Sequence, residues 1–567
     1  MSLADPPVGF GLTSVSQMRW IRDKVGNYFR SFQTSGRRFL ILWKLPFVLC
    51  ESQSKGTLLQ ERQPDYTWAI VPRGAERMDN PVVSGIAHAS RAQTDARDLA
   101  SLGYKQEFKR DFGGFSNFAL SFSVISILTG AITLYDYGLS MGGPRQMTLG
   151  WPLATVGTLL IALSMAELCS AFPTSGGMIH WSATLGGPTW AWFTAWLNIV
   201  GLVTVIAGID YGCARFLLPM LGLPSKSPYL LITYVLLLLS QTLINHYSTR
   251  SVAWLNDASA PVHMVGVVVL IGALLIFVPK QPLHFLLQAS SSSDIHAPYA
   301  WLFLLGLLQA QWTYTGFDAS AHVAEETLDP RRRAPWGMVM AVVISGLFGY
   351  MLILSLTLVI PSVSQVLSAK GADGSPLPAV LAIVQSGLGS RAVIAVLGLT
   401  VAAMWFCGLA SLTSLSRTIY AFARDGGMPL SNVWSRVSFR HKTPAAALWL
   451  STTLACAAMI YSGAYSVVTS ISVVGFYLSY GIPVYLGWRK KSRWIENRGP
   501  WHLGNLSSLI NVLALVWTGF ICIIMVMPPN TRAGWEILVV MGVLFVLHRL
   551  SGKHKVRQPS AGDEATQ

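Results

Sequence analysis

Charged residues are scarce in this 567-residue chain. Asp, Glu, Lys and Arg make up 12% of it, compared with about 25% in a typical soluble protein, whereas 52% of the residues are hydrophobic. This balance excludes a disordered chain, a collagen, a disulfide-stapled secreted module and an ordinary cytosolic enzyme. It indicates a polytopic membrane protein, most of whose helices lie in lipid or against one another.

Cysteine and the common catalytic motifs are also scarce. The six cysteines include no Cys-x-x-Cys pair, so we interpret them as small core residues rather than as disulfides or metal ligands. The sequence has no Gly-x-Ser-x-Gly, no His-Glu-x-x-His and no Walker A phosphate loop. We therefore expect neither an enzyme nor an ATP-driven pump, and we expect no cofactor. The amino terminus lacks the apolar run of a cleaved secretory signal.

Hydrophobic stretches long enough to cross a bilayer are abundant. A membrane-spanning helix needs about 20 predominantly apolar residues, and twelve stretches satisfy that length. We predict spans at residues 117–141, 149–172, 190–220, 228–246, 253–279, 299–327 with an interruption, 334–361, 389–423, 444–462, 465–488, 506–528 and 534–550.

The basic residues are distributed unevenly between the connecting loops. The net charge is +15, but the Lys and Arg residues sit between hydrophobic runs, which argues against a nucleic-acid partner. They are concentrated in the loops after the fourth, sixth, eighth and tenth spans, as in Arg331–Arg333 and Arg489–Lys491. Lys and Arg in short loops are retained on the cytoplasmic side, so both termini are predicted to be cytoplasmic.

Two of the predicted spans contain glycine and polar residues near their middle. The first includes Ser126 and Thr129-Gly130, and the sixth includes Thr315-Gly316 and Asp318. Irregular backbone at membrane depth persists only where it lines a protein cavity, and broken helices in matched positions are typical of inverted-repeat carriers. The alternative is that these small residues only allow close helix packing.

Several longer motifs carry a family resemblance. They are Leu102–Arg110, Ser121–Ser126, Met165–Gly177, Gly316–Thr327 and Ser416–Pro429. With these motifs the chain resembles the amino acid–polyamine–organocation transporters, and within them the amino acid, GABA and choline permeases of fungi and bacteria. The resemblance extends from about residue 102 to residue 550.

The resemblance implies an all-α membrane protein with a LeuT-like fold. Twelve transmembrane helices would form two inverted five-helix repeats plus two carboxy-terminal helices, with helices 1 and 6 broken. Residues 1–101 would be a largely disordered cytoplasmic tail, residues 102–550 the transporter domain, and residues 551–567 a cytoplasmic tail.

The implied activity is secondary active transport of amino acids or related amines such as GABA. Access to the site would alternate between the two sides of the membrane, which we expect to be the plasma membrane, and the coupling ion would be H⁺. A choline or polyamine carrier or exchanger of the same fold is an alternative. A non-transporting nutrient sensor is another, because such sensors commonly carry a long cytoplasmic extension.

The resemblance also implies where the substrate binds. Its α-carboxylate would meet Thr129, Gly130 and Ala131 at the first break, and its ammonium would meet the carbonyls of the second. The expected substrate-binding residues are Ser126, Thr129, Gly130, Ala131, Thr315, Gly316, Phe317 and Asp318. Asp318 could pair with the ammonium, or it could cap the half-helix that follows it.

Ionisable residues within the spans are expensive and need a partner or a function. The ion-coupling or gating candidates are His263, Asp257, Glu167, Glu325 and Asp136. The fifth span lacks the lysine that proton-coupled members of the family often carry. His263 in that span titrates in the physiological range and could relay protons, or it could be a hydrogen-bonded packing residue.

The acidic residues among these candidates have alternative interpretations. Glu325 and Glu326 could form gating pairs with Arg331–Arg333 or remain solvated. Glu167 is expected to fasten its span to the turn at residues 173–177, and Asp136 to lie in the outer vestibule. Asp210 is a further proton-binding candidate, for which an internal ion pair with Arg215 is the alternative.

Overall fold

The computed structural model describes residues 81–224, 226–370, 376–461 and 465–550. Residues 1–80, most of the predicted amino-terminal tail, lie outside this part, as does the predicted carboxy-terminal tail at 551–567. Residues 81–101, which the sequence analysis assigned to the tail, are helical.

The first half of the described chain is almost entirely helical. Its helices are α1 (Pro81–Ser101), α2 (Gly114–Ile125), α3 (Ile127–Thr133), α4 (Tyr135–Ala171), α5 (Met178–Gly186), α6 (Pro188–Met220), α7 (Tyr229–Tyr247), α8 (Thr249–Phe277), α9 (Tyr299–Gly306), α10 (Leu308–Thr313) and α11 (Ala319–His322).

The second half continues the same architecture. Its helices are α12 (Pro330–Leu358), α13 (Val363–Leu367), α14 (Ala379–Leu388), α15 (Ser390–Arg424), α16 (Ser431–Trp434), α17 (Ala445–Tyr461), α18 (Tyr465–Arg489), α19 (Ser507–Val526) and α20 (Thr531–Leu550). Short 3₁₀ turns lie at Leu283–Leu287, Ala324–Glu326, Lys491–Arg493, Ile495–Asn497 and Gly504–Leu506. The described residues contain two isolated bridges and no strand.

Ten helices within the described ranges are long and apolar enough to cross a bilayer. One of them is counted across the break between α2 and α3. Two of the predicted spans fall outside this set because the sixth is divided into the short pieces α9 to α11 and the ninth, α17, has 17 residues. The molecule is therefore a multi-span helical protein, and the twelve-helix layout stays a prediction.

Local sequence explains where several helices begin and change direction. Pro188 and Pro330 occupy the first turns of α6 and α12, where a missing N–H group has no consequence. Ser248 caps α8 by accepting a hydrogen bond from the Ser251 N–H at 3.0 Å. Gly143, with φ 62° and ψ −161°, interrupts α4 between the predicted first and second spans.

The helices pack in two main groups around the breaks. α6 packs along both α15 and α18, and α4 packs along α12. The short helices α3 and α10 contact each other between these groups, and α10 also touches α4 and α18. We call residues 114–133 and 299–327 the first and second broken segments. Their breaks therefore lie in the interior of the bundle, where irregular backbone can be satisfied by protein groups.

Candidate functional site

The first break lies at Ser126, between α2 and α3. Ser126 has φ 40° and ψ 81°, in the left-handed region. The sequence placed this break at Thr129, Gly130 and Ala131, and that position is wrong, because all three are residues of α3. The Ser126 hydroxyl explains the actual position, since it is hydrogen-bonded to Thr129 Oγ1 at 2.5 Å and to His263 Nε2 at 2.8 Å.

Gly130 serves close helix packing rather than unwinding. A Cβ atom at this position would lie 2.0 Å from Oγ1 of Thr313 on α10. Any residue with a Cβ atom at position 130 would displace this threonine, so only glycine allows α3 and α10 to pack this closely. The close-packing alternative raised by the sequence therefore describes Gly130.

The second break covers residues 314–318, between α10 and α11, where the sequence placed it. Gly316 has φ 83°, a conformation that side chains other than glycine rarely adopt. Its N–H group donates to the Tyr480 hydroxyl at 3.1 Å. The carbonyl of Phe317 accepts a hydrogen bond from Ser121 Oγ on α2 at 2.7 Å.

The two breaks are in direct contact. A Cβ atom on Gly316 would lie 2.1 Å from Cγ1 of Val124, which is two residues before Ser126. Ser121 extends the contact by hydrogen bonding to the Phe317 carbonyl. Ser126 and Gly316, the residues with positive φ in the two broken segments, are therefore close to each other inside the bundle.

Asp318 is the centre of a buried hydrogen-bond network. Its side chain is 1% exposed, and it accepts from the Tyr480 hydroxyl at 2.6 Å and contacts His322 Nε2 at 2.9 Å. Asn198 on α6 donates to it at 3.5 Å. The capping interpretation is wrong, because the Asp318 side chain makes no capping bond to α11 and is bonded to His322 and Tyr480 instead.

His263 on α8 is hydrogen-bonded directly to the first break. Its Nδ1 lies 2.9 Å from the carbonyl of Ser259, an acceptor only, so Nδ1 carries the proton and Nε2 accepts from the Ser126 hydroxyl. Asp257, on the same helix, accepts from Ser116 Oγ at 2.9 Å instead. His263 thus reaches the break, whereas Asp257 joins α8 to the first turn of α2.

Five charged residues form a compact group at the α1 end of the bundle, where α15 ends. We call Glu325, Glu326, Arg417, Arg424 and Asp425 the ion-pair cluster. Arg417 holds Glu326 through two hydrogen bonds, at 2.8 and 3.2 Å, and both side chains are 0% exposed. Arg424 donates to both oxygens of Glu325, at 3.1 and 3.0 Å.

The partners of these two glutamates differ from the sequence expectation. Arg331–Arg333 do not pair with them; Arg331 lies 3.8 Å from Asp98 and donates to the Ser170 carbonyl. Arg331–Arg333 were expected because they lie close in the chain. α15 instead runs beside the second broken segment and places its own arginines against Glu325 and Glu326.

Tyr104 connects the cluster to the chain before α2. Its hydroxyl donates to Asp425 at 3.1 Å, and its ring lies under the Arg424 guanidinium at 4.0 Å. Burial raises the pKa of Asp425 to about 6, although Arg424 opposes this shift. Burial likewise lowers the pKa of His180, which contacts the same hydroxyl, to about 3. Within the cluster, burial and the Arg424 guanidinium thus act in opposite directions on the pKa of Asp425.

Residues 104–112, which we call the strap, run across the end of the second broken segment. Gln106 donates to the Glu325 carbonyl at 2.8 Å, and Arg110 donates to the carbonyl of Thr327. The Phe112 N–H group donates to the Glu326 carbonyl at 3.0 Å, and the Phe112 carbonyl accepts from Leu328 at 3.1 Å. The strap thus joins the start of α2 to the end of the second broken segment by backbone pairing.

The sequence analysis missed four residues of this site. Tyr480 and His322 hold Asp318, and Arg417 and Arg424 hold the two glutamates. Arg417 offered a usable signal, because an arginine inside an apolar span is costly unless it has a partner. Tyr480 offered none, since tyrosine is common in such helices.

Glu167 and Asp136 lie away from the breaks. Glu167 accepts from the Leu503 N–H at 3.1 Å and from Ser507 Oγ at 2.6 Å, so it holds the loop before α19 rather than the turn at 173–177. Asp136 accepts from the Ala379 N–H at 2.7 Å, at the first residue of α14. Their gating or coupling roles stay predictions.

A surface groove of about 440 Å³ lies between α2, α8 and α12. Its lining is almost entirely apolar, apart from two arginines at its edge. The lining residues are Gly114, Phe115, Phe118, Met264, Arg332, Arg333, Trp336, Gly337, Met340 and Ile344. None belongs to either break, so this groove is distinct from the site described above.

Comparison with known proteins gives consistent matches over most of the chain. The amino acid permease family model matches residues 112–547. The amino-acid permease BAT1 homolog of Oryza sativa subsp. japonica is 36% identical over 499 residues, covering 81% of this chain and 94% of its own. The GABA-specific permease of Saccharomyces cerevisiae is 27% identical over 474 residues, covering 79% and 80%. A putative polyamine transporter of Candida albicans is 26% identical over 483 residues, covering 80% and 86%.

Proposed function

Because the chain belongs to the amino acid permease family of the amino acid–polyamine–organocation superfamily, we propose that it is a secondary active transporter of amino acids or related amines such as GABA. The family is one of transporters rather than enzymes, and the long apolar helices make the protein an integral multi-pass membrane protein. The resemblance inferred from the motifs is thereby confirmed.

The contact between the two breaks supports this proposal most directly. Gly316 and Val124 lie against each other, so backbone without helical hydrogen bonding is concentrated in one place inside the bundle. A zwitterionic substrate suits such a place, because unwound amide and carbonyl groups complement both of its charges. We place the carboxylate beside Ser126 and Thr129, and the ammonium beside the carbonyls of Thr315 to Phe317.

Asp318 has a positioning role in this proposal. Its two short hydrogen bonds, to Tyr480 and His322, fix the orientation of its carboxylate. Tyr480 in turn accepts from the Gly316 N–H group. Asp318 therefore fixes Tyr480, and Tyr480 fixes the left-handed backbone of the second break.

Alternating access needs a closure that opens and recloses. We propose that the ion-pair cluster and the strap form the cytoplasmic gate, since they hold α15, the second broken segment and the start of α2 together. The basic loops favour this side as the cytoplasmic one, with both termini there and the plasma membrane as the location.

Orientation has a simple test. A split-reporter fragment fused to the amino terminus should complement a partner expressed in the cytosol of intact cells. Complementation only by a partner supplied outside the cells would reverse the assignment of the gate.

The coupling ion is proposed to be H⁺, with His263 as the group that links protonation to the first break. In the structure His263 accepts the Ser126 hydroxyl hydrogen through Nε2. A protonated imidazole has only donors, so protonation would reverse this bond and change the hydrogen bonding at the left-handed residue. Cys407 on α15 is a second titratable group whose side chain bonds to Ser126, but only His263 changes from an acceptor to a donor when it is protonated.

Uptake by purified full-length protein in liposomes tests both substrate and coupling. Labelled GABA and neutral and basic amino acids are supplied outside, with an acidic exterior and an alkaline interior. We expect accumulation above equilibrium that disappears when a protonophore collapses the gradient. The His263→Gln variant keeps hydrogen bonding but does not titrate, so its gradient-driven accumulation should fall at least fivefold while substrate exchange continues.

Three results would redirect the proposal. Transport of choline or polyamines alone would favour the related carrier activity. Substrate binding without flux would indicate a sensor. Accumulation driven by sodium, or only by internal substrate, with no response to the pH gradient would overturn proton coupling and the role of His263.

A further inference from the structure

Asp210, in the interior of α6, is a buried carboxyl group without a cationic partner. Its side chain is 0% exposed. The sequence offered Arg215 as its ion-pair partner, and that interpretation is wrong: the ion pairs of the described residues include none between these two. Asp210 is bonded instead to Gln241 on α7, whose Nε2 donates to Oδ1 at 2.8 Å.

This pair leaves one oxygen unpartnered on each side chain. Asp210 Oδ2 and Gln241 Oε1 are both buried, and neither has a hydrogen-bond partner among the described residues. Both are acceptors when Asp210 is ionised, so neither can satisfy the other. A proton on Oδ2 turns that oxygen into a donor, and a carboxylic acid and a primary amide can then bond in both directions.

Apart from the Gln241 amide, the titratable surroundings of Asp210 supply no positive charge to stabilise a carboxylate. The titratable groups within electrostatic range are Cys213 on its own helix, Tyr234 on α7, Cys407 on α15 and Cys456 on α17. Each of these is neutral when protonated. Lys, Arg and His are not among these groups. On α18, Tyr465 faces α6 at Gly208 and Gly212, and it too is neutral when protonated.

The pair is also in contact with a helix that reaches the first break. A Cβ atom on Gly408 of α15 would lie 2.5 Å from Asp210 Oδ1 and 2.4 Å from Gln241 Nε2. The α15 backbone at Gly408 is therefore packed directly against the side chains of Asp210 and Gln241. The preceding residue, Cys407, donates through Sγ to the Val124 carbonyl at 3.0 Å, beside the break. Displacement of α15 relative to α6 and α7 would alter the packing around Asp210.

We propose that Asp210 is a protonation site of the transport cycle, a neutral acid paired with Gln241 in the arrangement described here, which releases its proton when α15 moves away from α6 and α7. In that step the Oδ2–H bond breaks, water admitted beside α15 accepts the proton, and the carboxylate stays behind until it is reprotonated from the other side. The site deepens the proposed function and rests on it, as a second coupling group in addition to His263.

The Asp210→Asn variant tests this proposal in the full-length protein. Asparagine can accept from Gln241 Nε2 and donate to Oε1, so the variant reproduces the protonated pair and should fold. Infrared spectra in light and heavy water should lose the carbonyl band of one protonated carboxyl group. In liposomes the proton-to-substrate ratio should fall by one, while exchange stays within about twofold of the wild type.

A second variant keeps the inference testable if Asp210→Asn folds poorly. Gln241→Leu removes the partner but not the acid, so the carboxyl band should persist at a shifted frequency. Unchanged spectra in both variants would overturn the protonated state. Loss of the band with an unchanged proton-to-substrate ratio would overturn release. A band in a wild type that shows no proton-coupled uptake would overturn release and the proposed coupling, while the protonated acid would stand.

Discussion

A Glu326→Ala substitution is expected to lower the free energy of unfolding by about 3–5 kcal/mol. The substitution leaves Arg417 as a charge that is 0% exposed and without its carboxylate, and a buried guanidinium cannot discharge by losing a proton. Denaturant titration of the detergent-solubilised protein measures this change. The amount of folded protein recovered from membranes should fall with it.

Two comparisons isolate the effect of the buried charge. Glu536→Ala breaks the Arg532–Glu536 pair, in which the arginine side chain is 55% exposed, and exposed pairs contribute about 0–1 kcal/mol. The double variant Glu326→Met with Arg417→Met removes both buried charges and should recover most of the lost stability. If Glu326→Ala were as stable as Glu536→Ala, the pair would be solvated rather than buried.

A Gly316→Ala substitution is expected to reduce uptake at least tenfold without removing the protein from the membrane. The added Cβ atom would lie 2.1 Å from Val124 Cγ1, and φ at this position is 83°. A left-handed alanine costs about 1–2 kcal/mol, and the contact forces the two breaks apart. Gly316→Leu should abolish uptake altogether. Initial rates of labelled substrate uptake, normalised to surface protein, give the measurement.

The chain supplies matched controls for this substitution. Gly272 and Gly398 lie within α8 and α15, and a Cβ atom on either meets nothing within 4 Å. Alanine at these positions should leave uptake unchanged. Val124→Ala combined with Gly316→Ala removes the clashing atom but not the strained φ, so it should restore part of the activity. Normal uptake by Gly316→Ala alone would mean that the substrate site lies elsewhere.

Hydropathy located most of the spans, because a helix in lipid must satisfy its own backbone and therefore needs a long apolar run. It could not decide which polar residue within a run ends the helix. Gly316 was correctly associated with a break, since it has the positive φ that glycine favours. Gly130 is also a glycine in the middle of a span, but it allows close packing against Thr313. The first break lies instead at Ser126, which is not a glycine.

Spacing in the sequence could not predict which residues pair with the buried charges. Arg417 and Glu326 are 91 residues apart, and Tyr480 and Asp318 are 162 apart. Only the packing of α15 and α18 against the second broken segment brings them together. His263 was a candidate only because it is a titratable residue in a predicted span, and its bond to Ser126, 137 residues away, could not be foreseen without the fold.

Backbone pairing between Phe112 and residues 326–328 has a mechanical consequence. It ties the chain just before α2 to the chain just after α11 through two amide–carbonyl bonds, so we expect α2 and α11 to move together at that end. Bending is then left to the breaks at Ser126 and Gly316, whose positive φ angles already mark departures from helical geometry. We therefore expect the two breaks to bend together rather than independently.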